Sequence, residues 1–218
     1  GGSGISVDGN VWKESRPTNT IIEDVVSHHN DWQGVTTYGA LGVRVVRAKT
    51  HDNERHGLNS EWSDDVTFED CETFANGRRG VRIAGRSRGV QLLNVRSYDN
   101  GADNPNGGEI LIGMQVFPLA NPETGEMVNG FPENVQVVDS ELLPARGRPH
   151  IQMDAGTEDA AAIEPLKSRL NLESPGAKNW TIQAFDVAGA SRGAANKRAA
   201  DREVTPALAE DSALAEEQ

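Results

Sequence analysis

The chain repeats one pattern of hydrophobic and polar positions at an interval of about 23 residues. Each repeat has two apolar positions, then a hydroxyl, a flat ring and an asparagine in a fixed order. The apolar columns are Ile22, Val45, Phe68 and Leu92, and Val25, Ala48, Cys71 and Val95; the polar columns are Ser27, Thr50, Thr73 and Ser97, then His28, His51, Phe74 and Tyr98, then Asn30, Asn53, Asn76 and Asn100. A fixed period of this length is typical of solenoids, in which each unit stacks on the next.

The local pattern within each repeat predicts strands. Apolar and polar residues alternate over 43–45 and 66–68, and a period of two indicates strands and not helices. Successive coils of a solenoid lie about 4.8 Å apart, so each side chain would touch its counterpart above and below. The chain is therefore predicted to be an all-β protein, a parallel β-helix of about six coils. On this interpretation His28 and His51 are stacking residues and not ligands.

The repeat continues beyond residue 101 with two interruptions. The segment 135–137 repeats the pattern 45 residues after Val90, and 180–182 repeats it another 45 residues later. Each gap fits one coil and an added loop, which predicts long loops at 115–133 and 156–178. A short helix is expected within the second loop, over 159–170.

These intervals divide the chain into three parts. Residues 1–19 are expected to be an N-terminal segment or a cut edge of a longer chain, and residues 20–187 are expected to form the β-helix. Residues 188–218 are rich in Ala and Glu and predict a tail that is either a solvated helix or disordered.

The composition of the chain argues against several classes of protein. The 33 acidic residues exceed the 21 basic ones and give a net charge of -12, which argues against general binding to nucleic acid or anionic membranes. No run approaches the roughly 18 apolar residues of a membrane span. A single cysteine, Cys71, excludes an internal disulfide framework. The acidic, lysine-poor composition suits a protein kept soluble at high salt, although ordinary acidic proteins share it.

A strip of polar side chains is predicted on the outside of one sheet. After each asparagine a second strand begins at a glycine, and alternation turns its apolar residues inward and its polar ones outward. The predicted strip contains Arg55, His56, Asn59, Arg78, Arg79 and Arg82, with Tyr38 and Glu61 beside it and Arg86 and Arg88 beyond. Guanidinium groups bind carboxylates and sulfates in a two-pronged fork, so this strip suits an acidic polysaccharide. The alternative is a solvated lattice of charges paired with nearby Asp and Glu.

One segment of the strip resembles a known family. Residues 53–59 read Asn-Glu-Arg-His-Gly-Leu-Asn, which is similar to the Asn-Asp-Arg-His-Gly-Phe-Asn stretch of bacterial mannuronan C-5 epimerases. Residues 80–85, 89–93 and 109–112 resemble later coils of the same family, so the likeness covers roughly 19–113. The resemblance implies a right-handed helix, an extracellular or cell-surface location, and substrate contact for Arg55 and His56.

The chain departs from that family at its catalytic signature. The family's Tyr-Gly-Phe-Asp-Pro-His-Glu should stand two coils earlier, where residues 9–15 read Gly-Asn-Val-Trp-Lys-Glu-Ser. A related reaction on a uronate needs a group that neutralises the carboxylate, a base and an acid. Arg55, Arg78 or Arg82 would neutralise, His56 would be the base with a pKa near working pH, and Tyr38 would be the acid.

Two functions remain open at this point. The first is binding of an acidic polysaccharide, uronate or sulfated, with or without a polyuronate lyase or C-5 epimerase reaction. The second is a non-catalytic structural β-helix of a cell-surface or virion spike protein. No cofactor is evident; calcium serves related lyases, but no acidic cluster here has a spacing that names a calcium site. Under either function the solenoid ends favour self-association or a neighbouring domain.

Overall fold

A computed structural model describes residues 2–12, 16–102, 104, 107–113, 119–121, 123–128, 130–154 and 160–185. In this part the chain winds through three parallel β-sheets, and neighbouring strands within a sheet come from successive coils. The predicted parallel β-helix is confirmed. Among the described residues no helix is long and apolar enough to cross a membrane.

The strands are short, and most belong to one of the three sheets. In chain order they are β1 (Ile5–Asp8), β2 (Ile21–Glu23), β3 (Val26–His28), β4 (Val35–Tyr38), β5 (Leu41–Val46), β6 (Lys49–His51), β7 (His56–Glu61), β8 (Asp64–Glu69), β9 (Glu72–Phe74), β10 (Arg79–Ala84), β11 (Gln91–Leu93), β12 (Arg96–Tyr98), β13 (Gly108–Gly113), β14 (Leu119–Ala120), β15 (Met127–Val128), β16 (Val135–Val138), β17 (Glu141–Leu143), β18 (Ile151–Asp154), β19 (Leu170–Glu173) and β20 (Ile182–Phe185). Within the described ranges, the helical segments are a 3-10 turn at Ala160–Ile163, one α-helix, α1 (Glu164–Lys167), and a second 3-10 turn at Ala177–Asn179.

Each coil visits the three sheets in the same order. Sheet A contains β1, β4, β7, β10, β13, β18 and β20, sheet B contains β2, β5, β8, β11, β16 and β19, and sheet C contains β3, β6, β9, β12 and β17. A coil runs from B to C to A, so six coils begin at the six strands of sheet B. Strands β14 and β15 form an antiparallel pair within the predicted loop at 115–133.

The interior is filled by columns of apolar side chains. In sheet B the column Val45, Phe68, Leu92 and Val137 is fully buried, and in sheet A the column Val35, Leu58, Val81, Ile110 and Ile151 is fully buried. No single coil encloses these side chains, so the core exists only because consecutive coils stack. This arrangement confirms the apolar columns that were predicted from the sequence.

The polar columns also stack as predicted. The side-chain amide of Asn30 donates to the Oδ1 of Asn53 at 2.7 Å, and the same bond joins Asn53 to Asn76 and Asn76 to Asn100 at 2.8 Å. Each accepting Oδ1 also takes the backbone N–H of the preceding asparagine at 3.1–3.2 Å. The rings of His28, His51, Phe74 and Tyr98 stack at centroid distances of 4.9, 4.9 and 5.0 Å.

A buried carboxyl terminates the asparagine ladder. Glu109 is fully buried, and its Oε2 accepts bonds of 2.6 Å from both the Asn100 amide and the Ser97 hydroxyl. Its Oε1 accepts the backbone N–H of Asn100 at 3.3 Å. The next coil supplies Leu142 in the hydroxyl column, so Glu109 takes the place of a fifth polar rung.

The structure corrects the predicted boundaries at both ends. Residues 5–8, placed in an N-terminal segment, form β1 and pair with β4 in sheet A. The predicted loop at 156–178 is too long, because β19 lies inside it and pairs with β16. Residue Ile182 pairs with Ile151 in sheet A, so 180–182 does not repeat 135–137. The short helix expected at 159–170 is present as the first 3-10 turn and α1, and the predicted tail lies outside the described residues.

Removing one rung of the asparagine ladder should destabilise the whole stack. Asn53→Ala leaves the buried amide partners in two neighbouring coils unsatisfied, and we expect a loss of about 2–4 kcal/mol in the free energy of unfolding. Urea denaturation of both proteins measures it. The matched control is Asn171→Ala, an exposed asparagine whose side chain bonds only to Glu173 among the described residues, and it should change stability by less than about 1 kcal/mol. Equal effects of the two substitutions would contradict the role assigned to the ladder.

Glu109 should make stability fall as pH rises. Burial raises the pKa of its carboxyl to about 7, above the ordinary value of 4.5 for a glutamate. The unfolded chain therefore loses this proton at lower pH than the folded chain does, and stability declines between about pH 4.5 and pH 7 by up to roughly 3 kcal/mol.

The test compares unfolding free energies of wild type and Glu109→Gln from pH 5 to pH 8. The amide cannot ionise, so the variant should lose much of this slope, whereas Glu126→Gln, at an exposed glutamate, should keep it. A wild-type slope that survives in Glu109→Gln would show that another group titrates.

Candidate functional site

The outer face of sheet A brings several of the predicted site residues into adjacent columns. In the register of β4, β7 and β10, Thr36, Asn59 and Arg82 form one column, Tyr38, Glu61 and Ala84 form a second, and His56 lies beside Arg79 in a third. These columns are one coil apart, so the side chains of neighbouring strands are in reach of one another.

The predicted strip is not exposed along its length. His56 is 4% exposed, Asn59 1%, Arg79 5% and Arg82 9%, whereas Arg55 is half-buried and Arg78 is exposed. The expectation of a fully exposed cationic strip is therefore wrong. Alternation correctly placed Asn59 and Arg82 on the outer side of sheet A, but direction alone does not determine whether a side chain reaches solvent.

The buried centre is a hydrogen-bonded network. The Asn59 amide donates to the Thr36 hydroxyl at 2.7 Å and to the Glu61 carboxylate at 3.3 Å. The Arg82 guanidinium donates to Asn59 Oδ1 at 3.1 Å and forms an ion pair with Glu61. Because a buried charge is costly unless it is paired, Glu61 is what allows Arg82 to lie here.

A second arginine is held by a residue that the sequence did not single out. The Nε and Nη2 atoms of Arg79 donate to the Oε1 of Gln152 at 3.2 and 2.9 Å. Burial, and next the charges of Arg82 and Arg78, lower the pKa of Arg79 to about 9, so it remains a cation at neutral pH. Gln152 lies on β18. The alternation of apolar and polar residues over 151–154 was the sequence signal that could have placed it on the outer face of a strand.

His56 is a neutral imidazole at neutral pH. Burial lowers its pKa well below 6.5, and the charges of Arg82, Arg79, Arg78 and Arg55 lower it further, in that order. Its Nδ1 has no hydrogen-bond partner among the described residues. The expectation of a pKa near working pH is therefore wrong.

Tyr38 lies far from His56. It is half-buried beside Glu61, and burial, followed by the charges of Glu61 and Asp8, raises its pKa. Five residue positions along the strand separate the column of Tyr38 from that of His56, which is roughly 16 Å. The predicted catalytic set of Arg55, His56 and Tyr38 is thus not brought together for one proton transfer.

An open cleft lies along the edge of sheet A, at the corner where the chain passes from sheet C to sheet A. This edge cleft has a volume of about 520 Å³ and is lined by Asp31, Trp32, Glu54, Arg55, Arg78 and Asn104. The Arg55 guanidinium lies 5.0 Å from the centre of the Trp32 ring, and Trp32 is 47% exposed. Sequence reasoning missed Trp32 as a site residue, although it precedes Gly34 in the column shared by Arg55 and Arg78.

The described residues offer no metal centre. No three or more His, Cys, Asp or Glu side chains in the described ranges are grouped so that they could hold a metal ion. On the sheet A face, Glu61 forms an ion pair with Arg82. The described residues therefore present no carboxylate cluster of the kind that calcium would need.

The family model for the right handed beta helix region matches residues 1–115. The chain belongs to this right-handed β-helix family, which gives the coils their handedness. No curated protein sequence matches the chain.

Two solved structures are similar to the chain in fold. One is a double mutant of the periplasmic alginate epimerase AlgG, with 14% identity, a TM-score of 0.50, and coverage of 84% of this chain and 36% of that one. The other is the A-module of the Azotobacter vinelandii mannuronan C-5 epimerase AlgE4, with 15% identity, a TM-score of 0.51, and coverage of 85% and 53%. The chain spans about a third and a half of these proteins, and at such identities the likeness concerns the fold alone.

Removing the counter-charge of Arg82 should destabilise the outer face of sheet A. Glu61→Gln leaves a buried guanidinium without its carboxylate, and we expect a loss of about 3 kcal/mol in the free energy of unfolding. Glu23→Gln is the control, because Glu23 pairs with Arg47 at an exposed site and should contribute less than about 1 kcal/mol. A loss no larger than that of the control would mean that Glu61 is not needed to keep Arg82 buried.

Proposed function

We propose that this chain binds an acidic polysaccharide along the edge cleft of sheet A. The observation that carries the proposal is the exposed Trp32 ring beside the guanidinium groups of Arg55 and Arg78 in one open cleft. Localisation outside the cell or at the cell surface belongs to the same proposal, because such a polymer is the expected partner.

Each part of the edge cleft has a role in this binding. Arg55 and Arg78 occupy the same position in neighbouring coils, about 4.8 Å apart along the helix axis, so they can pair with successive anionic groups of a polymer. The exposed face of Trp32 offers an apolar surface for the C–H face of a sugar ring. The cleft is open rather than enclosed, which suits a polymer chain that extends past it.

A lyase or epimerase reaction would add His56 to this binding site. His56 directly follows Arg55 and is the candidate base, but its Nδ1 is buried, so the imidazole could accept the proton beside a uronate carboxylate only after the face of sheet A opens to the substrate. Arg55 or Arg78 would neutralise that carboxylate. In this proposal the buried polar residues of the sheet A face support the site from beneath; they are Asn59, Glu61, Arg79 and Arg82. Tyr38 is too distant to be the acid.

The second candidate is a non-catalytic structural β-helix. It is favoured by the burial of His56 and by the hydrogen bonds that Arg79 and Arg82 already make within the sheet A face. In this case the polar centre stabilises the solenoid and the edge cleft alone meets a partner.

The binding test uses alginate, pectate and heparin, with dextran as an uncharged control. In affinity electrophoresis at low salt, an Arg55→Ala, Arg78→Ala double variant should bind the acidic polymer at least about tenfold more weakly. Arg44→Ala, Arg47→Ala removes the same charge from exposed arginines of sheet B and should bind like wild type. Unchanged binding in the first variant, or an equal loss in the second, would overturn the proposed site.

The reaction is followed separately on the same polymers. Ultraviolet absorbance detects the unsaturated product of a lyase, and the proton spectrum of the polymer detects epimerisation. An active chain should lose turnover in His56→Gln while keeping its affinity, and its rate should be nearly constant from pH 6.5 to pH 8, because His56 is already neutral there. Binding without turnover would favour the non-catalytic candidate.

A further inference from the structure

A second cleft lies at the opposite end of β10, where sheet A turns into sheet B. The long insertion that follows β13 and the shorter one that follows β18 both leave the solenoid at this corner. This corner cleft has a volume of about 450 Å³ and is lined by Arg86, Arg88, Gly130, Phe131, Glu133 and Arg169. A smaller neighbouring cleft shares Arg86 and Arg88 and adds Arg16, Trp62 and Asp64, among others.

The corner cleft carries uncompensated positive charge. The side chains of Arg86 and Arg88 are exposed, and within the described part of the chain they make no hydrogen bond or ion pair. The carboxylates that line the two clefts are already engaged. Asp64 accepts from Arg16 at 2.7 Å, and Glu133 lies 3.4 Å from Arg169. Three guanidinium groups thus face this cleft with one carboxylate among its lining residues.

The cleft is also held in shape by its surroundings. Arg88 is bridged through its backbone to Asp64 on one side and Glu133 on the other. Arg169 donates to the Phe131 carbonyl at 3.3 Å and lies 5.8 Å from the centre of the Phe131 ring. A side chain at Gly130 would overlap the stem of Arg86, so this glycine leaves room for the arginine.

We propose that the corner cleft binds a small polyanion, a molecule that carries two or more neighbouring carboxylate, sulfate or phosphate groups. Forked guanidinium groups recognise such oxyanions in two-pronged bonds, and two of the three arginines have no other partner in the described ranges. The volume lies in the range of small-molecule sites, and the charged lining selects against apolar ligands. The proposal is independent of polysaccharide binding at the edge cleft.

Calorimetric titration of the full chain at low ionic strength tests the proposal. The probes are citrate, inorganic pyrophosphate and a uronate trisaccharide, which separate small polycarboxylates and phosphates from glycan ends, and acetate serves as the monovalent comparison. At least one polyanion should bind saturably and at least about tenfold more tightly than acetate. Arg86→Ala, Arg88→Ala should weaken that binding at least tenfold, with thermal unfolding used to verify that the variant folds.

Two further variants separate the possible explanations. Arg44→Ala, Arg47→Ala makes the same change in net charge on sheet B and should retain the affinity. Arg55→Ala, Arg78→Ala alters only the edge cleft and should retain it too, even if polysaccharide binding is lost. The proposal is overturned if no probe binds the wild type saturably, or if the sheet B variant loses as much affinity as the corner variant.

Discussion

The hydrogen-bonded stacking of like side chains from coil to coil is the constraint on which this structure depends. An asparagine amide in the ladder can donate and accept only if the next coil places another amide at the same height, as Asn53 does between Asn30 and Asn76. This requirement fixes the length of the coils and the register of the sheets. The two longest insertions, after β13 and β18, leave at the corner between sheets A and B, away from the ladder, and a shorter one lies between β12 and β13.

The solenoid could be predicted from the sequence because the pattern that indicates it lies within each coil and recurs in the next. Columns such as Ile22, Val45 and Phe68 recur at the coil interval, and the strands they predict pair in that register. The last coil was misplaced because its insertion is shorter than the first, so that β19 returns 35 residues after β16 and not 45. The centre of the site could not be derived, since alternation gives the direction of Arg82 but not its burial, and Gln152 reaches Arg79 from a coil beyond an insertion.

The outer face of sheet A separates stabilisation from recognition. Its centre contains charges that are neutralised within the protein, as in the pair of Arg82 with Glu61. Its two edges present cationic groups to open clefts, Arg55 and Arg78 at one end of the strands and Arg86 and Arg88 at the other. On a protein of net charge -12, the corner cleft, with three arginines and one carboxylate in its lining, offers an anion a local excess of positive charge.

Glu109 also gives the solenoid a direction of growth. Earlier coils have glycine at the position of Glu109, because a side chain at Gly57 or Gly80 would overlap the hydroxyl of the following coil. Duplicating a coil before Glu109 would extend the amide ladder by one rung and preserve every contact type. Duplicating the Glu109 coil itself would force a carboxyl into the space of a hydroxyl and an amide, so lengthening by gene duplication is expected on the N-terminal side of this residue only.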